Sequence, residues 1–150
     1  LSEEEAVKIE NMLKFKGSVF FSKIKYEDII SMNNKTVLKS IKGKSILLIT
    51  RIAKSKPILY YLKNLNLNFR HLVFSDHHKY KSKDIKKILK NYQKSNDIIL
   101  TTEKDVQKLK EFNKLMDLPI YYLKVGIDFL WNKDKFDKKI KNYVESYSSN

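Results

Sequence analysis

Residues 45–74 read SILLITRIAKSKPILYYLKNLNLNFRHLVF, and this stretch decides the fold. Its two ends, Ile46 to Thr50 and Phe69 to Phe74, are short apolar runs of the kind that fill buried strands. Between them Ile58, Leu62 and Leu65 recur at helical spacing. Strand, helix and strand in that order make a βα unit, which implies a mainly parallel sheet covered by helices. The rhythm continues downstream. Ile85, Ile88, Leu89 and Tyr92 form a second stripe, Ile98 to Thr101 a third strand, Val106, Leu109 and Phe112 a third stripe, and Ile120 to Leu123 a fourth strand.

Upstream, Ser2 and Glu5 form a capping-box pattern that starts a helix carrying Val7, Met12 and Leu13, with Gly17 expected to end it. Ser18 to Tyr26 reads as a strand, and Glu27 to Lys44 as a polar connection. The run from Pro119 to Leu130 is too long for one edge of the lobe and contains Gly126. It is therefore expected to leave the sheet and continue as a second extended segment, pairing with the strand near Val19. Phe136, Ile140, Val144 and Tyr147 then mark a final amphipathic helix. The expected architecture is α/β: a mainly parallel, four- to five-stranded sheet with flanking helices, a Rossmann-like lobe over residues 45–124. An N-terminal helix, linker strand and connection occupy 1–44, and a return strand with a C-terminal helix occupies 125–150.

A chain of 150 residues, 42% hydrophobic, can bury one sizeable core. No apolar run approaches the roughly 20 residues that cross a bilayer, and Leu1 to Glu5 is acidic rather than a basic leader, so the chain is expected to be soluble. With no cysteine, disulfides and cysteine-based zinc sites are excluded. The net charge is +14, yet every basic residue except Arg51 and Arg70 is lysine. That bias, with abundant Asn, Ile and Tyr, reads as codon drift. A nucleic-acid surface favours the forked arginine, so the charge points away from nucleic acid and leaves an anionic membrane surface as a partner.

In a parallel α/β sheet ligands collect at the carboxyl ends of the strands. Three turns fall there: Arg51-Ile52-Ala53-Lys54-Ser55, Ser75-Asp76-His77-His78, and Thr101-Thr102-Glu103-Lys104-Asp105. The second sets two histidines beside an aspartate, a grouping suited to proton handling, although a plain turn cap with solvated histidines has the same sequence. Three consecutive residues cannot converge on one metal ion without distant partners. His71, mid-strand between apolar neighbours, reads as structural. In the third turn Thr102 caps a helix whose third position is Asp105, which leaves Glu103 and Lys104 to face a crevice.

Phe74-Ser75-Asp76-His77-His78-Lys79-Tyr80, then Thr101-Thr102-Glu103-Lys104-Asp105, then Pro119-Ile120-Tyr121-Tyr122-Leu123, in this order and strand context, resemble the C-terminal half of tetraacyldisaccharide 4'-kinases, the lipid A 4'-kinases. The similarity runs from Val19-Phe20-Phe21-Ser22 to near the end of the chain. The family's first strand ends in a glycine-isoleucine-alanine turn, and here Arg51 stands at the glycine position. The resemblance implies an ATP- and Mg2+-dependent kinase of two lobes joined by a two-stranded linker, working on the lipid A disaccharide precursor at the cytoplasmic side of the inner membrane of a Gram-negative bacterium. It implies His77 as the group that helps deprotonate the sugar hydroxyl, Asp76 as its orienting partner, and Thr102, Glu103, Lys104, Asp105 and Arg51 as facing the nucleotide or cleft. No stretch matches G-x-x-x-x-G-K-[ST], so the nucleotide phosphates are expected on an N-terminal P-loop lobe outside these residues, and residues 1–150 alone are expected to be inactive. Two rival readings are a metal-dependent phosphoesterase built on Asp76-His77-His78 and a basic module that binds nucleic acid or lipid.

Overall fold

A computed structural model of the chain describes residues 1–92 and 97–148. In chain order its elements are α1 (Glu3–Leu13), β1 (Ser22–Ser31), β2 (Ile46–Thr50), α2 (Lys56–Asn64), β3 (Phe69–Val73), α3 (Ser82–Tyr92), β4 (Ile98–Thr102), α4 (Glu103–Leu109), a single 3-10 turn over Asn113–Leu115, β5 (Ile120–Phe129) and α5 (Lys133–Ser148). The chain divides into two compact units, Tyr26–Val125 and Leu1–Lys25 with Gly126–Asn150. Residues 26–44 thus group with the α/β lobe.

The five strands lie in the order β1-β5-β4-β2-β3. β2 is flanked on both sides in parallel register, Ile46 standing opposite Phe69 on β3 and Ile98 on β4; β4 and β5 are parallel as well, with Ile99 opposite Ile120. β1 closes the sheet antiparallel to β5: within the larger unit the Met32 N–H donates to the Ile120 carbonyl at 2.8 Å, and Lys124 meets Glu27 at 3.5 Å. The sheet is therefore mixed, with parallel pairs in the majority. Alternation along the strands sorts the core into two layers. Leu47, Ile49 and Ile99 pack with Ile85, Ile88, Val106 and Leu109 of α3 and α4, whereas Ile46, Leu48, Ile98 and Leu100 pack with Ile58 and Leu62 of α2. The layering follows from right-handed crossovers. The step β2-α2-β3 moves one way along the sheet and β3-α3-β4 moves back across β2, so the two helices must cover opposite faces.

Strand bounds follow the apolar runs closely in the lobe and less well outside it. β1 begins at Ser22 and extends to Ser31, displaced from the expected Ser18 to Tyr26. The expected pairing of the Pro119 to Leu130 run with the N-terminal strand is present, β5 lying beside β1, but Gly126 does not break it, and β5 is one strand over Ile120–Phe129. α1 has the expected capping box at Ser2 and Glu5, but it closes at Lys14 in the left-handed conformation (φ 47°), before Gly17. Leu65 falls just past α2 and is exposed. In the smaller unit, Phe136 of α5 packs on Phe20 and Phe129 with ring centroids 5.2 and 4.7 Å apart, and the Leu130 N–H donates to the Phe21 carbonyl at 3.0 Å.

Leu100 is fully buried between β2 and the α2 layer. Leu100→Ala is expected to cost about 2–5 kcal/mol in urea unfolding. Tyr60→Ala, at a position 69% exposed, should stay within about 0.5 kcal/mol of the parent.

Candidate functional site at the carboxyl edge of the sheet

The connection out of β2 runs toward β3, and that out of β4 runs the opposite way to β5, so the strand order reverses between β2 and β4. The carboxyl ends of those two strands flank the crevice where doubly wound sheets hold ligands. Arg51 follows directly on β2, and Thr102 ends β4.

Arg51 and Asp105 meet across this crevice. The Asp105 carboxylate, wholly buried, accepts from the Arg51 backbone N–H at 2.9 Å and from Nε at 3.2 Å. It also accepts from the Thr102 hydroxyl at 2.9 Å, and the same hydroxyl caps α4 by accepting from the Asp105 N–H at 3.1 Å. Arg51 Nη1 reaches the carbonyl of His78, and its guanidinium carbon lies 5.3 Å from the centre of the Tyr80 ring. One guanidinium thus ties together the turns after β2, β3 and β4. Removing this ion pair from water is costly, and the several hydrogen bonds offset that cost. Burial pushes the Tyr80 hydroxyl well above the usual tyrosine range; the Asp105 charge adds to the rise and Arg51 opposes it.

The turn after β3 closes with the His78 N–H donating to the Ser75 carbonyl at 3.1 Å. His77 sits at its corner with φ 58°, a left-handed conformation uncommon outside glycine and tolerated better by His, Asn and Asp than by other side chains. Its imidazole is 83% exposed. Asp76 Oδ1 accepts from the His77 backbone N–H at 3.0 Å, and Oδ2 lies 3.5 Å from Nε2. Lys104 Nζ approaches Asp76 Oδ1 at 3.7 Å, which brings the turn after β3 to the turn after β4. The expected juxtaposition of these two turns on one edge is therefore present.

His78 takes a separate course. Its Nε2 is 2.9 Å from Asp84 Oδ2, its ring stacks on Phe74 at 5.3 Å, and the Lys81 N–H also donates to Asp84. Burial tends to raise the Asp84 pKa, but hydrogen bonds from His78 and Lys81 outweigh it and hold the carboxyl below the usual range. Among the described residues no three His, Cys, Asp or Glu side chains gather as a metal site. His78 is thus engaged with Asp84, while His77 stands beside Asp76.

Of the residues expected to face the cleft, Glu103 and Lys104 are exposed and Thr102 is half-buried, while Asp105 and Arg51 turn inward. The correction has a physical cause. The Arg51 guanidinium finds the Asp105 carboxylate across the crevice and is held there. Sequence reasoning missed this clasp and the His78–Asp84 pair. The latter carried a faint signal, since Asp84 opens α3 where a carboxylate is favoured.

His71 is half-buried on β3 with Nε2 2.8 Å from the Thr50 hydroxyl, and burial lowers its pKa. A histidine lowered on folding binds its proton more readily when unfolded, so its contribution is present above the unfolded value of about 6.5 and is lost as pH falls through that value toward the folded one. Unfolding free energy should accordingly drop between pH 7 and pH 5. In His71→Gln that part of the slope should vanish in urea titrations at the two pH values.

The sequence profile of the tetraacyldisaccharide-1-P 4'-kinase family matches residues 2–145. The chain is 40% identical over 136 residues to the tetraacyldisaccharide 4'-kinase of Flavobacterium psychrophilum, covering 90% of this chain and 38% of that protein. It is 38% identical over 149 residues to that of Flavobacterium johnsoniae, covering 97% of this chain and 42% of the relative. The chain thus spans about two fifths of the length of these curated relatives. In three dimensions it resembles the crystal structure of LpxK from Aquifex aeolicus in complex with ATP, with a TM-score of 0.53 and 16% identity over 89% of this chain and 40% of that one.

Proposed function

Because the chain belongs to the tetraacyldisaccharide-1-P 4'-kinase family, we propose that it is part of an ATP-dependent kinase that phosphorylates the 4' hydroxyl of the tetraacyldisaccharide 1-phosphate precursor of lipid A. The observation that carries this reading is the meeting of the Asp76-His77 turn with the Thr102–Asp105 turn at the switch-point crevice, through Lys104 and Arg51.

His77 is the proton acceptor in this reading. Asp76 Oδ2 stands beside Nε2, so Nδ1 is the nitrogen left to take the proton of the acceptor hydroxyl as the new oxygen–phosphorus bond forms and the bond to the nucleotide's leaving phosphate breaks. Asp76 stabilises the imidazolium that results. Lys104, exposed beside Asp76, adds positive charge where the transferring phosphoryl group carries negative charge. Magnesium supplies charge neutralisation on the phosphates in such reactions, but the described residues do not by themselves form a site for it. In this reading a P-loop half outside these residues cradles the nucleotide phosphates and their metal, which the length of the relatives, more than twice that of this chain, leaves room for.

No helix among the described residues is long and apolar enough to cross a membrane. The charge of +14 supports attraction to the anionic membrane in which the acceptor's acyl chains lie. Residues 1–150 alone are expected to transfer no measurable radiolabelled phosphate from ATP to the disaccharide acceptor, whereas the complete enzyme should. Transfer by residues 1–150 alone would overturn the division of labour, and its absence from the complete enzyme would overturn the kinase reading.

A further inference from the structure

Beside the Arg51–Asp105 clasp lies a cavity of about 290 Å3 lined by Arg51, Lys79, Tyr80, Lys108, Glu111 and Phe112. Three cations face one carboxylate. That carboxylate, Glu111, is paired with Lys108 at 3.1 Å in an exposed contact of little net worth, which an incoming anion displaces at small cost. Arg51 is only 7% exposed and already oriented by Asp105 and the His78 carbonyl, bonds that use Nε and Nη1. Among the described residues its Nη2 has no hydrogen-bond partner, and neither does the buried hydroxyl of Tyr80. Buried polar groups left unpaired are rare and call for an explanation. The Tyr80 hydroxyl is one such group; it lies in the wall of a cavity also lined by Arg51, whose Nη2 is left to bond, next to the crevice where such sheets bind ligands, and this points to a polar ligand.

We propose that this cavity binds a phosphate monoester. Arg51 Nη2, Lys79 and Lys108 hold its oxygens, and the Tyr80 and Phe112 rings lie against the carbon skeleton that carries it. A fixed guanidinium edge suits phosphate better than a lone ammonium does, because its N–H groups point in set directions. On the proposed kinase reading, which leaves the nucleotide to the P-loop half, the monoester is the phosphate already on the sugar acceptor, and ADP serves as the competing probe. Binding here needs no catalysis, so the test reads binding alone and does not depend on the kinase reaction.

The test is a titration followed by backbone amide NMR, with inorganic phosphate, glucosamine 1-phosphate and ADP as probes and neutral glucosamine as control. Saturable shifts are expected at Arg51, Tyr80 and Phe112 with at least one phosphate-bearing probe and none with glucosamine. A stronger response to glucosamine 1-phosphate assigns the site to the acceptor, and a stronger response to ADP assigns it to the nucleotide. Lys79→Ala combined with Lys108→Ala, both at exposed positions, should weaken binding about tenfold or more with the fold intact. Tyr80→Phe removes only the unpartnered hydroxyl and should weaken it as well. Absence of saturable shifts at these residues, or unchanged affinity in the double-lysine variant, would overturn the site.

Discussion

His77→Ala in the complete enzyme is expected to cut turnover by about 100- to 10,000-fold, the range typical for loss of a positioned general base. The dissociation constant for ATP should barely change. The imidazole is 83% exposed, so the stability lost should be limited to about 1 kcal/mol, the strain of an alanine held at φ 58°. That combination separates a chemical role from a structural one. A turnover loss accompanied by an equal loss of ATP affinity or of stability would instead make the histidine a scaffold residue. Asp76→Asn should give a smaller decrease in the same direction. It keeps an acceptor for the His77 backbone N–H but removes the charge that stabilises the imidazolium.

Asp105→Ala is expected to be the most destabilising change at the site, by about 3–5 kcal/mol in urea unfolding. The substitution strands the Arg51 guanidinium without its counter-charge and removes the acceptor of the Arg51 backbone N–H and the Thr102 hydroxyl. Thr102→Ala deletes only the helix cap and one hydrogen bond, and should cost about 1 kcal/mol. If the two variants lost the same amount, or if Asp105→Ala lost less than about 1 kcal/mol, the buried clasp would not be holding the three turns together. Stability of the crevice and orientation of its residues are linked here, because Arg51 reaches the backbone of the very turn that carries His77.

What the sequence conveyed depended on distance along the chain. β2 occupies the bounds its apolar run announces, since Ile46 to Ile49 are buried on both faces and leave no polar alternation to mislead. The Thr102 cap is equally legible, its partner being three residues away. The course of β5 was legible in part: its pairing with the N-terminal strand, a hundred residues earlier, was expected, whereas Gly126 reads as a break that the strand does not show. The end of α1 at Lys14 was hidden, because a lysine in the left-handed conformation leaves no compositional mark. The clasp joins residues 54 positions apart, so Arg51 and Asp105 each read as facing outward until the fold brought them together. The Asp76-His77 turn was found from local chemistry, and its neighbour Lys104 was found separately. Their approach to 3.7 Å follows from both lying at carboxyl ends of parallel strands.

The most direct test is a crystal structure of the complete enzyme with the disaccharide acceptor and a non-hydrolysable ATP analogue bound. The account predicts the acceptor 4' hydroxyl within hydrogen-bond reach of the His77 imidazole, about 2.6–3.2 Å, with Lys104 beside the terminal phosphate. An acceptor seated at the amino ends of the strands, or on the far side of the sheet from His77, would contradict it.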